Sequence, residues 1–247
     1  VTLERARVSA RNPKAVIPVH LNGQCVDMPD IAAIARRRGL RVIEDSAHAL
    51  GSASLTGADD TVPVGACCDS DLCVFSFHPV KMITMGEGGA VTTNDETLNR
   101  RLQRYRNHGM VREPGEFEQA ADAFNDRGAP NPWYYEMPVP GYNYRASDLQ
   151  CALGLSQLGK LDRFVQRRRD LVARYDALLA EYAPTIAPVR RMPACAPAWH
   201  LYAVLIDFDE LGAKRADVMR SLQARNIGTQ VHYFPVHRQR YYRHRYC

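Results

Sequence analysis

The pattern that most constrains this chain is a strand, a helix and a second strand held within about thirty residues near its start. Ala15 to His20 (AVIPVH) is a short apolar run suited to a buried strand, and a Gly-containing turn follows at Leu21 to Gln24. Pro29 opens a helix over Asp30 to Arg38, with Ile31, Ile34 and Ala35 on one face, Arg36 to Arg38 toward solvent, and Gly39 as its stop. Leu40 to Asp45 (LRVIED) is the next strand. Strands joined by a single helix run parallel, because the helix carries the chain back to the same end of the sheet, and the crossover is almost always right-handed. An α/β fold on a mostly parallel sheet is the expectation.

Further along, Leu72 to Phe77 and Gly88 to Thr93 are strand-like, separated by the loop His78 to Glu87. Asn94 and Asp95 supply an N-cap for a basic helix reaching Asn107, which Gly109 stops. Arg112 to Gly141 is rich in Pro, Gly and acidic residues around Trp133 to Tyr135, and reads as a long functional loop. Ser147 caps a helical pattern from Asp148 to Tyr182, which Gly154 or Gly159 can break. Pro184, Pro188, Pro193 and Pro197 mark a linker. Beyond it, His200 to Phe208 as strand, Lys214 to Arg225 as helix and Thr229 to Phe234 as strand suggest a smaller α+β domain. The expected division is a large domain over 1–183 and a small one over 184–247.

Composition sets the class. With 247 residues, 46% hydrophobic and 24% charged, and a mean hydropathy of −0.35, the chain can bury a full core. It contains no apolar run of the roughly eighteen residues a membrane span needs, and its start (VTLERARVSARNPKAV) lacks the apolar stretch of a signal peptide, so a cytoplasmic setting is expected. The balance of 32 Lys+Arg against 27 Asp+Glu is a mild excess, unlike the concentrated charge of a nucleic-acid binder. Seven cysteines without a CxxC pair indicate neither a disulfide framework nor a metal site, and read as reduced thiols. Only Lys14, Lys81, Lys160 and Lys214 are lysines, so each position can be interrogated singly.

Chemistry concentrates at two strand ends. Asp45 stands at the carboxyl end of a parallel strand, where open α/β sheets bind ligands, although a lone acid there equally serves as a cap. Ser76 to Lys81 (SFHPVK) places a hydroxyl, an imidazole and one of the four lysines directly after another strand end. A lysine leaving a buried strand often snorkels to water. One held beside a carboxylate and partly desolvated instead has the lowered pKa that Schiff-base chemistry requires.

Val42 to Gly51 (VIEDSAHALG), Phe75 to Lys81 (FSFHPVK) and Gly86 to Asp95 (GEGGAVTTND), in that order and spacing, resemble the DegT/DnrJ/StrS family of pyridoxal-phosphate sugar aminotransferases. Arg106 to Met110, Gly141 to Arg145 (GYNYR), Ser147 to Leu158 and Val231 to His237 (VHYFPVH) extend the likeness over almost the whole chain. The resemblance implies a fold-type I, aspartate-aminotransferase-like large domain with a smaller α+β C-terminal domain. It implies that pyridoxal 5′-phosphate forms a Schiff base with Lys81, that Asp45 pairs with the pyridinium nitrogen, that His48 bonds the phenolic oxygen and that Ser76 holds the phosphate. Asn143 matches a residue that the family supplies to the phosphate from a neighbouring subunit, implying a homodimer with a shared site. His78, Arg145, His232, Tyr233 and His237 match segments around the nucleotide sugar, and Arg145 equally suits a brace for the helix that follows.

The motif combination is most similar to the branch of pseudaminic acid biosynthesis, which implies a UDP-linked 4-keto-6-deoxy-N-acetyl-hexosamine as substrate and L-glutamate as amino donor. Two alternatives stay open: the same chemistry on another nucleotide keto-sugar, and a catalytically silent homologue serving as a binding or regulatory module. The terminal RQRYYRHR (Arg238 to Arg245) mixes cations with aromatics, but it adjoins the VHYFPVH segment and is not read as a nucleic-acid element. Motif order also leads us to expect a fragment, lacking the family's N-terminal phosphate cradle and the end of its small domain.

Overall fold

The computed structural model describes residues 13–57 and 60–246; the Arg-rich start and Cys247 lie outside the described residues. In chain order the strands are β1 (Ala15–Val16), β2 (Arg41–Asp45), β3 (Ala53–Leu55), β4 (Thr61–Pro63), β5 (Leu72–Ser76), β6 (Gly89–Thr92), β7 (Ile186–Pro188), β8 (Cys195–Ala196) and β9 (Val204–Ile206). The principal helices are α1 (Met28–Arg38), α2 (Glu96–Arg106), α3 (Asp148–Leu158), α4 (Leu161–Leu179), α5 (Arg215–Gln223) and α6 (Arg240–Tyr246). None of the described helices is long and apolar enough to cross a membrane. The chain divides into two units, residues 1–175 with 190–203, and residues 176–189 with 204–247.

The main sheet of the first unit has the order β1-β2-β5-β6. β1, β2 and β5 run parallel, as the strand-helix-strand pattern requires, and β6 returns antiparallel to β5. β1 is shorter than its apolar run because Pro18 has no N–H to give the ladder; contact with β2 resumes as a single bridge between Val19 and Asp45.

α1 forms where the sequence places it. The Asp27 side chain accepts from the Asp30 N–H, Pro29 occupies the first turn, and Gly39 closes the helix in the left-handed region with its N–H on the Ala35 and Arg36 carbonyls. Its inner line differs from the expected Ile31, Ile34 and Ala35: Met28, Ala32 and Ala35 are the buried residues, and Ile31 packs only at the margin of the Met28, Ala35 and Val42 cluster. Small alanines bring the helix close to β2. A second cluster, Cys67, Cys73 and Phe75, backs β5. A third, Met82, Val165 and Ala198, joins the loop after β5 to α4.

The long helical pattern breaks at Gly159, giving α3 and α4. Ser147 and Gln150 make a reciprocal capping box at the start of α3.

The Pro-rich stretch does not behave as a free linker. Residues 190–203 belong to the first unit: β8 pairs with β3 through Ser54 and Cys195, Gln24 bonds the Arg190 carbonyl and the Met192 N–H, and Ala198 and Trp199 are buried. The hairpin of β3 and β4 was not legible, because three-residue strands among turn-forming residues carry no measurable alternation. In the second unit β7 pairs antiparallel with β9. There the expected strand over His200 to Phe208 shrinks to β9, and Thr229 to Phe234 forms no strand.

Candidate active site

Asp45 ends β2 with its backbone fixed on both sides: its N–H donates to the Pro18 carbonyl at 2.8 Å and its carbonyl accepts from the His20 N–H at 3.0 Å. Its carboxylate accepts the Ala47 N–H at 3.1 Å. The neighbouring Glu44 faces the opposite side of the strand and is 5% exposed. Glu44 Oε2 lies 2.7 Å from Nε2 of His20, a residue 1% exposed, and Ser70 donates to its other oxygen. Since Val26 N–H donates to His20 Nδ1 at 3.1 Å, Nε2 carries the proton and donates to Glu44. A buried carboxylate without such donors would be strongly destabilising.

Ser76 ends β5, and the chain then folds back on itself: Phe77 N–H donates to Gly88 O, Lys81 N–H to His78 O and Met85 N–H to Phe77 O, all at 2.8–3.0 Å. Lys81 is half-buried in this loop, followed in sequence by buried Met82 and Ile83 and preceded by exposed Val80. Burial pushes the Lys81 amine below the ordinary lysine range, and the Asp45 carboxylate partly opposes the shift. Asp45 and Lys81, 36 positions apart in sequence, thus act on one another across the carboxyl ends of β2 and β5. Ser76 Oγ accepts the His78 N–H at 3.4 Å.

His48, buried in the turn after β2, accepts the Asn22 N–H on Nδ1 at 3.4 Å. Its ring lies 4.4 Å from that of His200, tilted by 41°. The segment carrying His200 is held by the His200 N–H on Asn22 O at 3.0 Å, by Ala198 N–H on Ser52 Oγ at 2.9 Å, and by Arg168, which donates to the Trp199 and His200 carbonyls. Burial lowers the Arg168 pKa. Gly23 permits the approach: its φ is +91°, and a Cβ there would stand 2.1 Å from the Ala198 carbonyl oxygen. Among the described residues, none hydrogen-bonds Asn22 Oδ1, which is buried beside this cluster.

Asn143 and Arg145 lie on a different ladder. Asn143 bridges Asn107, Arg145 donates to Asn107 Oδ1 at 2.7 Å, and both side chains are exposed. Among the described residues, no hydrogen bond links them to Lys81, Asp45, Ser76 or His48. His78 is only partly buried, accepts the Val80 N–H on Nδ1 at 3.3 Å and sits 3.7 Å from Glu87 Oε1. His232, Tyr233 and His237 belong to the second unit, with the His232 and Tyr233 rings 3.7 Å apart.

Four residues in the surround were not singled out from sequence: Asn22, His20, His200 and Arg168. Only the Glu44 partner had a visible signal, an acid alternating with Val42 on the face that must be buried. Among the described residues, no group of His, Cys, Asp and Glu could hold a metal ion.

A nucleophilic lysine opposed to a carboxylate, with a hydroxyl and an imidazole at adjacent strand ends, is a donor set suited to pyridoxal phosphate. The comparisons agree. The chain is 36% identical over 230 residues to the spore coat polysaccharide biosynthesis protein SpsC of Bacillus subtilis, covering 93% of this chain and 55% of that protein. It superposes with a TM-score of 0.82 and 28% identity on Helicobacter pylori PseC, an aminotransferase involved in the biosynthesis of pseudoaminic acid, covering 100% of this chain and 59% of that one. Against the PLP-form of Spr1654 from Streptococcus pneumoniae the TM-score is 0.74 at 26% identity, with 95% and 58% covered. The chain therefore spans about half the length of the curated relatives it matches, and the fold is the fold-type I architecture of these aminotransferases. With the ordered strand-end motifs now seen to converge on Lys81 and Asp45, and with a family model matching residues 2–247, the chain belongs to the DegT/DnrJ/EryC1/StrS aminotransferase family.

Proposed function

We propose that this chain carries the Schiff-base site of a pyridoxal-phosphate-dependent aminotransferase that transfers an amino group to the ketone of a nucleotide-linked 4-keto-6-deoxy sugar. The observation that carries the reading is Lys81, lowered by burial and facing the Asp45 carboxylate at the carboxyl edge of the parallel sheet. When bound, the cofactor supplies an electron-withdrawing ring that stabilises negative charge at the reacting carbon. Asp45 would hold a proton on the ring nitrogen, and the Ala47 N–H bonded to its carboxylate helps to orient that group. Lys81 would have two tasks: its neutral amine would be the nucleophile that holds the cofactor, and the same amine would move a proton to and from the substrate carbon. His48 accepts the Asn22 N–H on Nδ1, so its neutral ring carries a proton on Nε2 that can be donated to the phenolic oxygen. Ser76 offers a hydroxyl to the phosphate, and Asn143 of a second copy completes that contact in a homodimer.

The favoured substrate is a UDP-4-keto-6-deoxy-N-acetyl-hexosamine, with L-glutamate as donor; the PseC likeness supports it. A second reading, the same transfer on another nucleotide keto-sugar, is favoured by the higher identity to SpsC, a protein of polysaccharide biosynthesis. Borohydride reduction in the presence of pyridoxal phosphate, followed by peptide mass mapping, tests the site. Label on Lys81 alone among the four lysines is the expected result; label on another lysine, or none, sinks the assignment. A panel of UDP- and other nucleotide keto-sugars assayed with glutamate decides between the substrates.

A further inference from the structure

Two cysteines distant in sequence meet behind the turn that supports His48. Cys25, buried, precedes α1; Cys195, half-buried, lies in β8. The Cys25 N–H donates to Cys195 Sγ at 3.0 Å across a separation of 170 residues, which places the two side chains close enough to act on one another. The contact is built in: Cys195 pairs with Ser54 across β3 and β8, and Gln24 clamps the chain at Arg190 and Met192. Around the pair stand His20 from the turn after β1, Arg169 from α4 and Glu44 from β2.

The Cys25 N–H and the Cys25 thiol both act on Cys195, and Arg169 adds attraction for negative charge. They lower its thiol to about 7, while burial and the bond to Cys195 hold the Cys25 thiol in its protonated form. Among the other described cysteines, Cys67 and Cys73 share a buried cluster. Cys73 is fully buried with its thiol raised to about 12, Cys67 is buried against Thr92, and Cys68 and Cys151 are exposed.

We propose that Cys25 and Cys195 are a peroxide-reactive dithiol, with Cys195 as the attacking sulfur and Cys25 as the resolving one. The Cys195 thiolate attacks one oxygen of hydrogen peroxide, breaking the O–O bond and releasing hydroxide, which takes up a proton to become water. The sulfur becomes a sulfenic acid. The Cys25 sulfur then bonds to Cys195 Sγ, and the hydroxyl leaves with the Cys25 thiol proton as a second water. In sum, two thiols lose two electrons and two protons, and one peroxide is reduced to two waters. The product ties β8 to the turn that holds Asn22 against His48.

The test needs no activity. The 247-residue protein is treated with hydrogen peroxide, alkylated under denaturing conditions and digested without reductant. The expected product is a Cys25–Cys195 linked peptide, two hydrogens lighter than the sum of its parts and restored by dithiothreitol. Cys195→Ser leaves Cys25 alkylatable, and Cys25→Ser arrests Cys195 as a sulfenic acid that dimedone traps. In untreated protein, alkylation of Cys195 is half-maximal near pH 7, and Cys25→Ala moves that midpoint toward the ordinary thiol value of about 8.5. Sulfinic acid on Cys195 with Cys25 still alkylatable, links running to Cys68 or Cys151, or no change under peroxide would each overturn the proposal.

Discussion

At the scale of the residue, the site rests on opposed influences on one amine. Burial favours neutral Lys81 and lowers its pKa, whereas the Asp45 carboxylate favours the ammonium and raises it; burial is the larger. Removing the carboxylate charge therefore lowers the Lys81 pKa further. Reductive 13C-methylation of the cofactor-free protein checks this by NMR, because the chain has only four lysine side chains to resolve. Lys81 is expected to titrate below the ordinary lysine range, and Asp45→Asn to move it lower still. Titration of Lys81 within the ordinary lysine range, unmoved by Asp45→Asn, would show that the amine is solvated and free of Asp45. The scarcity of lysine and the position of Asp45 were legible in the sequence. Which of the two influences prevails was not, since burial depends on how the loop after β5 folds back on itself.

At the scale of the element, glycines decide where segments can touch. Gly109 ends the turn after α2 with φ +75°, and a Cβ on it would stand 1.7 Å from the Val139 carbonyl oxygen. Gly141 approaches from the other side, its own would-be Cβ 2.2 Å from the Gly109 amide nitrogen. This back-to-back passage aligns residues 105–107 with 142–144: Tyr142 N–H donates to Tyr105 O, His108 N–H to Tyr142 O and Tyr144 N–H to Arg106 O. The ladder presents Asn143. Gly109→Ala is expected to destabilise the protein by about 1–3 kcal/mol from backbone strain alone, with the clash adding to it. Urea denaturation measures the loss, and an unchanged midpoint would mean that the two segments separate without cost. Sequence marked Gly109 as a helix stop, which it is, since its N–H donates to Arg104 O. Its role as a crossing point depends on Gly141, more than thirty residues away.

At the scale of the molecule, α3 stands out. Leu149 is 85% exposed and Leu155 74%, with Leu153 and Leu158 also open to solvent. A helix that is apolar on more than one face belongs in an interior or an interface. Close by in sequence, the Tyr142 and Tyr144 rings stack at 4.8 Å and 7° and are exposed as well. The proposed homodimer would bury such surface and bring Asn143 to a second copy. Sedimentation equilibrium is expected to show self-association that Leu149→Asp with Leu155→Asp weakens at least tenfold, about 1.4 kcal/mol. An unaltered association constant would place the interface elsewhere.

The sequence by itself determined the parallel strand-helix-strand core, the glycine stop of α1 and the N-caps of α2 and α3, and it singled out Lys81 and Asp45 as candidates for the chemistry. These follow from local rules: apolar periodicity, capping side chains and strand ends act over a few residues, and the ordered motifs carry the family likeness. Tertiary structure alone decided the surround. His20 meets Glu44 across 24 positions, His48 meets His200, Cys25 meets Cys195, and the Pro-rich segment expected as a linker packs instead against β3 and Gln24. The physical reason is common to all four. Each contact joins surfaces distant along the chain, where buried polar groups lose their hydration and must find partners to offset that cost, which local pattern does not encode.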